Sequence, residues 1–376
     1  MSKFAFKVSF VFLVLFFIGR VVFPFGDEPD FEVRVDRLEM LEKKSFNLYG
    51  YFDFYQDIKN ERNCEITSGS KSIHSNISGE CYELNLKYFF ERLGFSFLWV
   101  SPLIFFIIFQ KKLYFLTKSY KTIAVVEWKR RVDALSLTLL LPSVIYTLGW
   151  LSQEVIVVLL SFFVFIFWGR VFLILPLLLF IYTLDNGNGV VVIFFSLILL
   201  FYSFLHKLRY KRYLLFGFAI ISFALTYFFG QEFLGYLSSI SYFSKISEIQ
   251  HALDNGQYYE NYPLILRPVI TFMSLIFMTS IGVKSIVLFI IAIIAALTGL
   301  AKVRVTNSSL VFVLSALTTI FLITLTIPTH AYAKYYIFLI PFFVYPLLQV
   351  YTRAVLLYFF TFLTVITYLN IMIFYI

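Results

Sequence analysis

The chain has 376 residues, of which 60% are hydrophobic and only 14% carry a charged side chain. So much apolar surface cannot be buried in one soluble core, and the composition therefore excludes a soluble globular protein. The formal net charge is +9, and its basic residues cluster in short loops between apolar runs. This distribution is typical of the cytoplasmic loops of membrane proteins and does not indicate a nucleic-acid partner.

The apolar runs predict the fold class. A helix needs about 20 apolar residues to cross a bilayer, and the runs recur at that length. Strands of a membrane barrel would instead alternate apolar and polar residues over about ten positions. We therefore predict an all-α, polytopic helical membrane protein, in which residues 1–376 form one integral membrane domain of about eleven transmembrane helices.

The first span and the first loop set the orientation. Residues 4–24 follow a basic start and lack a small-residue cleavage site, so we predict an uncleaved span with its amino end in the cytoplasm. The polar segment 26–93 then lies outside the cytoplasm, which in a bacterium is the periplasm. Cys64 and Cys81 both fall in this loop, and an oxidising compartment favours a disulfide between them.

The middle of the chain follows the positive-inside rule from one turn to the next. The predicted third span, about 132–151, contains Pro142 and leads to Glu154 at the non-cytoplasmic edge. A second periplasmic loop is predicted at 231–267. Residues 269–301 could form two short spans, or a re-entrant helix at 269–283 followed by one span. We prefer the re-entrant helix, because irregular backbone at membrane depth is tolerated where it lines a protein cavity.

Under this topology, unusual polar groups converge on the non-cytoplasmic side. Asp27, Glu28 and Asp30 directly follow the first span, where charged side chains are costly unless they have partners or a function. Such carboxylates could take a proton from a sugar hydroxyl or hold a divalent cation, and no other cofactor is indicated. Further candidates for binding a phosphorylated substrate are Arg34, Glu154, Arg267, His330, Lys334 and Tyr335.

Each candidate also has a simpler interpretation. The acids could merely solvate the start of a loop, and Arg267 and Lys334 could anchor spans at the membrane interface. The four histidines lie far apart and lack metal-ligand spacing. The sequence contains no P-loop and no G-x-G-x-x-G motif, which disfavours a nucleotide-driven transporter or a dinucleotide enzyme.

Four stretches carry a resemblance to a known family: Gly26–Asp30, Pro142-Ser143 with Gln153-Glu154, Tyr262-Pro263 with Arg267-Pro268, and Lys334–Pro341. Their layout resembles the O-antigen and capsule repeat-unit polymerases (the Wzy type) and the wider C-type membrane glycosyltransferases. The resemblance implies a glycosyltransferase of the bacterial inner membrane with a periplasmic active face. It implies undecaprenyl-diphosphate-linked glycans as donor and acceptor, and a chain-length regulator and a flippase as partners.

The resemblance also implies roles for individual residues. Asp27 or Glu28 would serve the acceptor hydroxyl, while Arg267 and Lys334 would stabilise the departing diphosphate. Other function classes remain open from the residues alone. A C-type enzyme could add a single sugar from a polyprenyl-phosphate donor, and a subunit without catalysis could assist assembly. A transporter of lipid-linked glycans would usually show internal repeats and charges at the membrane midplane, which this sequence lacks.

Overall fold

The computed structural model describes residues 3–23, 97–98, 100–110, 125–149, 153–238, 266–277, 307–326 and 335–374. These residues are helical and contain no strand, which confirms the predicted helical class. The helices are α1 (Lys3–Val22), α2 (Val100–Gln110), α3 (Val125–Thr138), α4 (Pro142–Gly149), α5 (Gln153–Phe167), α6 (Val171–Leu184), α7 (Asn186–Leu205), α8 (Lys211–Ser238), α9 (Arg267–Phe277), α10 (Asn307–Thr326), α11 (Ile340–Val350) and α12 (Arg353–Phe374).

Several helices are suited to a bilayer. Within the described residues, four are long and apolar enough to cross a membrane: Gly187–Leu205, Lys211–Gly230, Ser309–Thr326 and Arg353–Ile373. The bent pair Val126–Thr138 and Pro142–Gly149 makes a fifth if it forms one span. The chain thus has the character of a helical membrane protein. The predicted total of about eleven spans is not confirmed by this count.

The predicted third span is broken at Pro142. Helices α3 and α4 meet at an angle of 78°, and tighter i to i−3 bonds precede the break, from the Leu140 amide to the Leu137 carbonyl at 3.1 Å. Proline has no amide hydrogen and disfavours helical geometry in the preceding residue, so α3 ends and α4 begins here. The hydroxyl of Thr364 donates to the Leu140 carbonyl, which the break leaves without its usual helical partner.

The chain divides into two compact units, of which the first comprises 1–189 and 359–376. In this unit α1 packs against α3 and α4, and α5 packs against α3, α4 and α6. An aromatic cluster joins α2, α3 and α5, where the Phe106 ring lies 6.1 Å from Trp128 and 5.1 Å from Phe163. Phe106 and Trp128 are buried, and the three rings supply apolar contact between helices whose polar backbone is already hydrogen-bonded internally.

The second unit comprises 190–358. Helix α10 lies at its centre and packs against α8, α9 and α11. The Tyr202 and Thr318 hydroxyls share a buried hydrogen bond of 2.7 Å between α7 and α10. Helix α8 presents most of its surface outward, since only 22% of its 211–230 window is buried. It continues to Ser238, eight residues into the segment predicted as the second loop.

Candidate functional site

A buried arginine joins the ends of two helices in the first unit. Arg20 lies in the last turn of α1 and is only 4% exposed. Its Nη1 donates a hydrogen bond of 2.5 Å to the carbonyl oxygen of Gly149, the last residue of α4. The final carbonyls of a helix lack partners within the helix and carry partial negative charge, so a guanidinium there is stabilising.

Aromatic side chains lie close in sequence to both partners of this contact, with Phe23 three residues after Arg20 and Tyr146 three residues before Gly149. The Phe23 ring lies edge-on to Tyr146 at 5.5 Å and to Tyr368 at 5.1 Å. Phe23 and Tyr368 are buried, and so is the Arg20 hydrogen bond, which is stronger away from water. We refer to Arg20, Phe23, Tyr146, Gly149 and Tyr368 as the Arg20 cluster. It gathers the ends of α1 and α4 with the later part of α12.

The Arg20 cluster lies at the start of two stretches that carry predicted site residues. Asp27 follows Phe23 by four residues, and Glu154 follows Gly149 by five residues in the sequence. The Arg20 hydrogen bond therefore connects the two points from which these acidic stretches depart. Glu154 itself lies in the first turn of α5.

Most of the predicted site residues lie outside the described part of the chain. This applies to Asp27, Glu28, Asp30, Arg34, His330 and Lys334, and also to the predicted disulfide between Cys64 and Cys81. Their roles therefore stay predictions. The re-entrant helix predicted at 269–283 overlaps α9 only as far as Phe277, and its remaining residues are likewise outside the described ranges.

Arg267 is described, and it opens α9 in the second unit. Its Nε and Nη1 atoms are buried and have no hydrogen-bond acceptor among the described residues. One turn later Thr271 is fully buried, and its hydroxyl is likewise without a partner in the described ranges. Residues four apart share a helix face, so one side of α9 carries polar groups that have no partner within the described ranges.

The open hydroxyl of Thr271 contrasts with the neighbouring helix. On α10 the hydroxyls of Ser315, Thr319 and Thr324 each donate to the carbonyl four residues earlier, at 2.7 to 2.9 Å. Such back-bonding is the usual solution for a buried hydroxyl in a helix. Buried polar groups without partners are rare in native proteins and call for an explanation, such as a ligand or water.

Tyr335 is the other described candidate of the second unit. It is half-buried and stands just before the 3-10 turn Ile337–Leu339 that leads into α11. Helices α9 and α11 meet through the Phe272 and Phe343 rings, whose centroids are 5.3 Å apart. Arg267 is the first residue of α9, and Tyr335 precedes α11. Both therefore lie near the start of helices that are in contact with each other.

A second buried arginine holds α3 against α5. Arg131 Nη1 donates to the carbonyl oxygens of Phe165, Ile166 and Trp168 at 3.3, 3.2 and 2.8 Å. Its Nη2 donates to the Glu127 carboxylate at 2.5 Å. Arg131 therefore caps the carboxyl end of α5. This arrangement is structural, and it involves a basic residue that the sequence analysis does not single out.

Sequence reasoning overlooked Arg20 and Asp133. Arg20 is a cation near the predicted non-cytoplasmic end of a span, which runs against the positive-inside rule and could have drawn attention to it. Asp133 is the one acidic residue between 132 and 151 in the sequence, and it is fully buried in α3. An acidic residue inside an apolar run is costly, and it therefore indicates a functional or structural role.

No group of three or more histidine, cysteine or acidic side chains that could hold a metal ion occurs among the described residues. The acids predicted to hold a divalent cation lie elsewhere, in the first loop. The described candidates are thus separate in the two units: Arg20 with its aromatic neighbours in the first, and Arg267 with the Thr271 hydroxyl in the second.

No protein-family model, no curated protein and no solved structure matches this chain.

Proposed function

We propose that this chain is a membrane glycosyltransferase of about eleven spans that polymerises undecaprenyl-diphosphate-linked repeat units into O-antigen or capsular polysaccharide. The reaction would take place at the periplasmic face of the bacterial inner membrane. One observation carries the proposal beyond the resemblance of the sequence. The Arg20 to Gly149 hydrogen bond connects the helix ends from which the acidic stretch Asp27–Asp30 and Glu154 depart.

The proposed reaction is a displacement at a sugar carbon. The hydroxyl at the non-reducing end of a new lipid-linked repeat unit attacks the anomeric carbon of the growing glycan. The bond from that carbon to the diphosphate oxygen breaks, and undecaprenyl diphosphate leaves with the bonding electrons. Asp27 or Glu28 accepts the hydroxyl proton, in the role of a general base. Arg34, Glu154, His330 and Tyr335 would contact the two glycans or their carriers.

Cations must stabilise the negative charge that grows on the leaving diphosphate. Arg267 and Lys334 have this role in the proposal. A guanidinium suits it because its planar fork binds two phosphate oxygens together. The buried Nε and Nη1 of Arg267 have no acceptor within the described residues, which supports a ligand of this kind.

The experiment compares polysaccharide ladders on gels. The gene is deleted in the host strain and complemented with wild type, Asp27→Asn, Glu28→Gln or Arg267→Ala, each checked for normal insertion and amount. Asp57→Asn, in the same loop but outside the predicted site, serves as the matched control. We expect deletion to leave a single repeat unit, and we expect only wild type and the control to restore the long ladder.

Two outcomes would contradict the proposal. If all three site variants still yield full-length polymer, the residue assignment is wrong. If deletion keeps the ladder length but alters the sugar composition, the protein is a transferase that adds a single sugar.

A further inference from the structure

The turn between α7 and α8 is a strongly basic surface between two membrane-crossing helices. Residues His206–Arg212, which we call the basic turn, contain Lys207, Arg209, Lys211 and Arg212. The apolar windows Gly187–Leu205 and Lys211–Gly230 end and begin at its two sides. Cations so placed stand at the level of phospholipid headgroups.

The hairpin holds the basic turn in a fixed position. The Phe218 ring of α8 lies 4.6 Å from Phe201 and 5.3 Å from Tyr202 of α7, one to two turns from the connection. The amide of Leu214 donates to the Tyr210 carbonyl at 3.1 Å, which starts the hydrogen bonding of α8. The amides of the three residues before Leu214 precede that first bond, and the amino end of a helix favours anions.

Among the described residues, no acid forms an ion pair with the cations of the basic turn. Lys207, Arg209 and Arg212 are exposed, and within the described ranges none of them forms an ion pair. In the described part of the second unit the one acidic residue is Glu232. It lies twenty residues beyond Arg212 on the same helix, which corresponds to about 30 Å.

Aromatic side chains complete the surface. The Arg209 guanidinium stands 5.7 Å above the centre of the Tyr210 ring, a cation–π contact. Tyr210 is 63% exposed and Tyr213 82% exposed. Tyrosines with an apolar ring and a polar tip concentrate at membrane interfaces. Exposed tyrosines beside several cations suit a phosphate that is attached to an acyl chain better than a phosphate free in solution.

We propose that the basic turn binds the phosphate of an anionic phospholipid headgroup, with its cations on the phosphate and with Tyr210 and Tyr213 at the level of the glycerol. This inference is independent of the proposed enzymatic function. The basic residues alone would suffice to orient the hairpin in the membrane. A headgroup site also requires a turn of defined geometry and neighbouring aromatic side chains, and both are present here.

The test uses the purified full chain. Native mass spectrometry of the detergent-solubilised protein measures the apparent affinity for phosphatidylglycerol, with phosphatidylcholine as the zwitterionic reference. Two double variants, Lys207→Gln with Lys211→Gln and Arg209→Gln with Arg212→Gln, each remove two cations. Lys7→Gln with Lys129→Gln is the matched control, because both lysines are exposed in the first unit. Circular dichroism and gel filtration establish that each variant folds.

We expect the affinity for phosphatidylglycerol to fall on the order of fivefold for each cation removed from the turn, and the control to keep wild-type affinity. Unchanged affinity in both turn variants would overturn the proposal, as would an equal loss in the control pair. Inorganic phosphate is then added to protein in phosphatidylcholine nanodiscs. If it raises the unfolding temperature as much as phosphatidylglycerol does, the site binds soluble phosphate and the lipid assignment is wrong.

Discussion

The hydroxyl of Tyr368 donates a hydrogen bond of 2.7 Å to the carbonyl oxygen of Leu15, between α12 and α1. The contact is close because Gly19, one turn beyond Leu15, has no side chain. A β-carbon on Gly19 would lie 2.7 Å from the Tyr368 oxygen and 3.0 Å from a methyl carbon of Ile145. Gly19 is therefore the position at which α12 can approach α1.

We expect Gly19→Ala to lower the free energy of unfolding by about 1 to 3 kcal/mol, since overpacking forces side chains or backbone to shift. Gly217→Ala is the control. No heavy atom lies within 4 Å of its added β-carbon, so the better helix propensity of alanine is expected to stabilise α8 slightly. Denaturant or thermal unfolding in detergent measures both variants. Equal effects of the two substitutions would show that the close approach to Tyr368 has no energetic importance.

Removal of the Tyr368 hydroxyl tests the same contact from the other side. Tyr368→Phe is expected to cost about 1 kcal/mol for the lost hydrogen bond. It should also make room for the methyl group that Gly19→Ala introduces, so the double variant should be more stable than the sum of the two single effects predicts. A double-mutant cycle measures this coupling. Strict additivity would mean that the clash is relieved elsewhere.

Arg20→Gln removes the cation that bonds to Gly149. The hydrogen bond is charged and buried, so we expect a loss of about 1.5 to 3 kcal/mol in the free energy of unfolding. If the proposed function holds, the variant should also shorten the polysaccharide ladder at normal protein level, because the two acidic stretches lose their common anchor. Lys7→Gln, exposed on the same helix, is the control. A full ladder with Arg20→Gln would separate the cluster from catalysis.

The two partners of the Arg131 ion pair should differ in importance. The Arg131 side chain is 5% exposed and bonds to three carbonyls, whereas Glu127 is 39% exposed. We expect Arg131→Met to cost about 3 to 5 kcal/mol because buried carbonyls lose their donor. Glu127→Gln should cost no more than about 1 kcal/mol, as for other accessible ion pairs. Thermal unfolding of both variants measures the difference, and equal losses would contradict the capping role of Arg131.

His206, in the basic turn, makes stability depend on pH. Burial, and secondly the charge of Lys211, lowers the pKa of His206 below its ordinary value of 6.5. The folded protein then binds this proton less readily than the unfolded chain does. Stability is therefore fully present above about pH 6.5 and falls as the pH drops from there to the lower folded pKa. Unfolding at pH 7.5 and pH 5.5 should show this loss in wild type and a smaller loss in His206→Gln. An identical pH dependence would exclude His206 as its source.

The helical class could be predicted from the composition and from the length of the apolar runs. In a bilayer, only helices and closed barrels satisfy all backbone hydrogen bonds internally. The proline at position 142 indicated the break, but the angle of 78° between α3 and α4 accompanies packing of α4 against α1 and α5, which no local pattern reveals. The Arg20 contact joins residues 129 positions apart, and neither segment contains a sequence signal that identifies the other as its partner. Thr271 was missed because a threonine in an apolar run is ordinary; only its unsatisfied hydroxyl distinguishes it.

The discontinuity of the first unit has a consequence for biogenesis. Leu15 leaves the ribosome 353 residues before Tyr368, and the whole of 190–358 is synthesised between them. Until α12 is inserted, the carbonyl at the Leu140 break lacks the donor that Thr364 supplies, and α1 lacks its contact with Tyr368. The early helices are therefore inserted before one of their backbone carbonyls has its partner, and we expect them to depend on the insertion machinery during that interval.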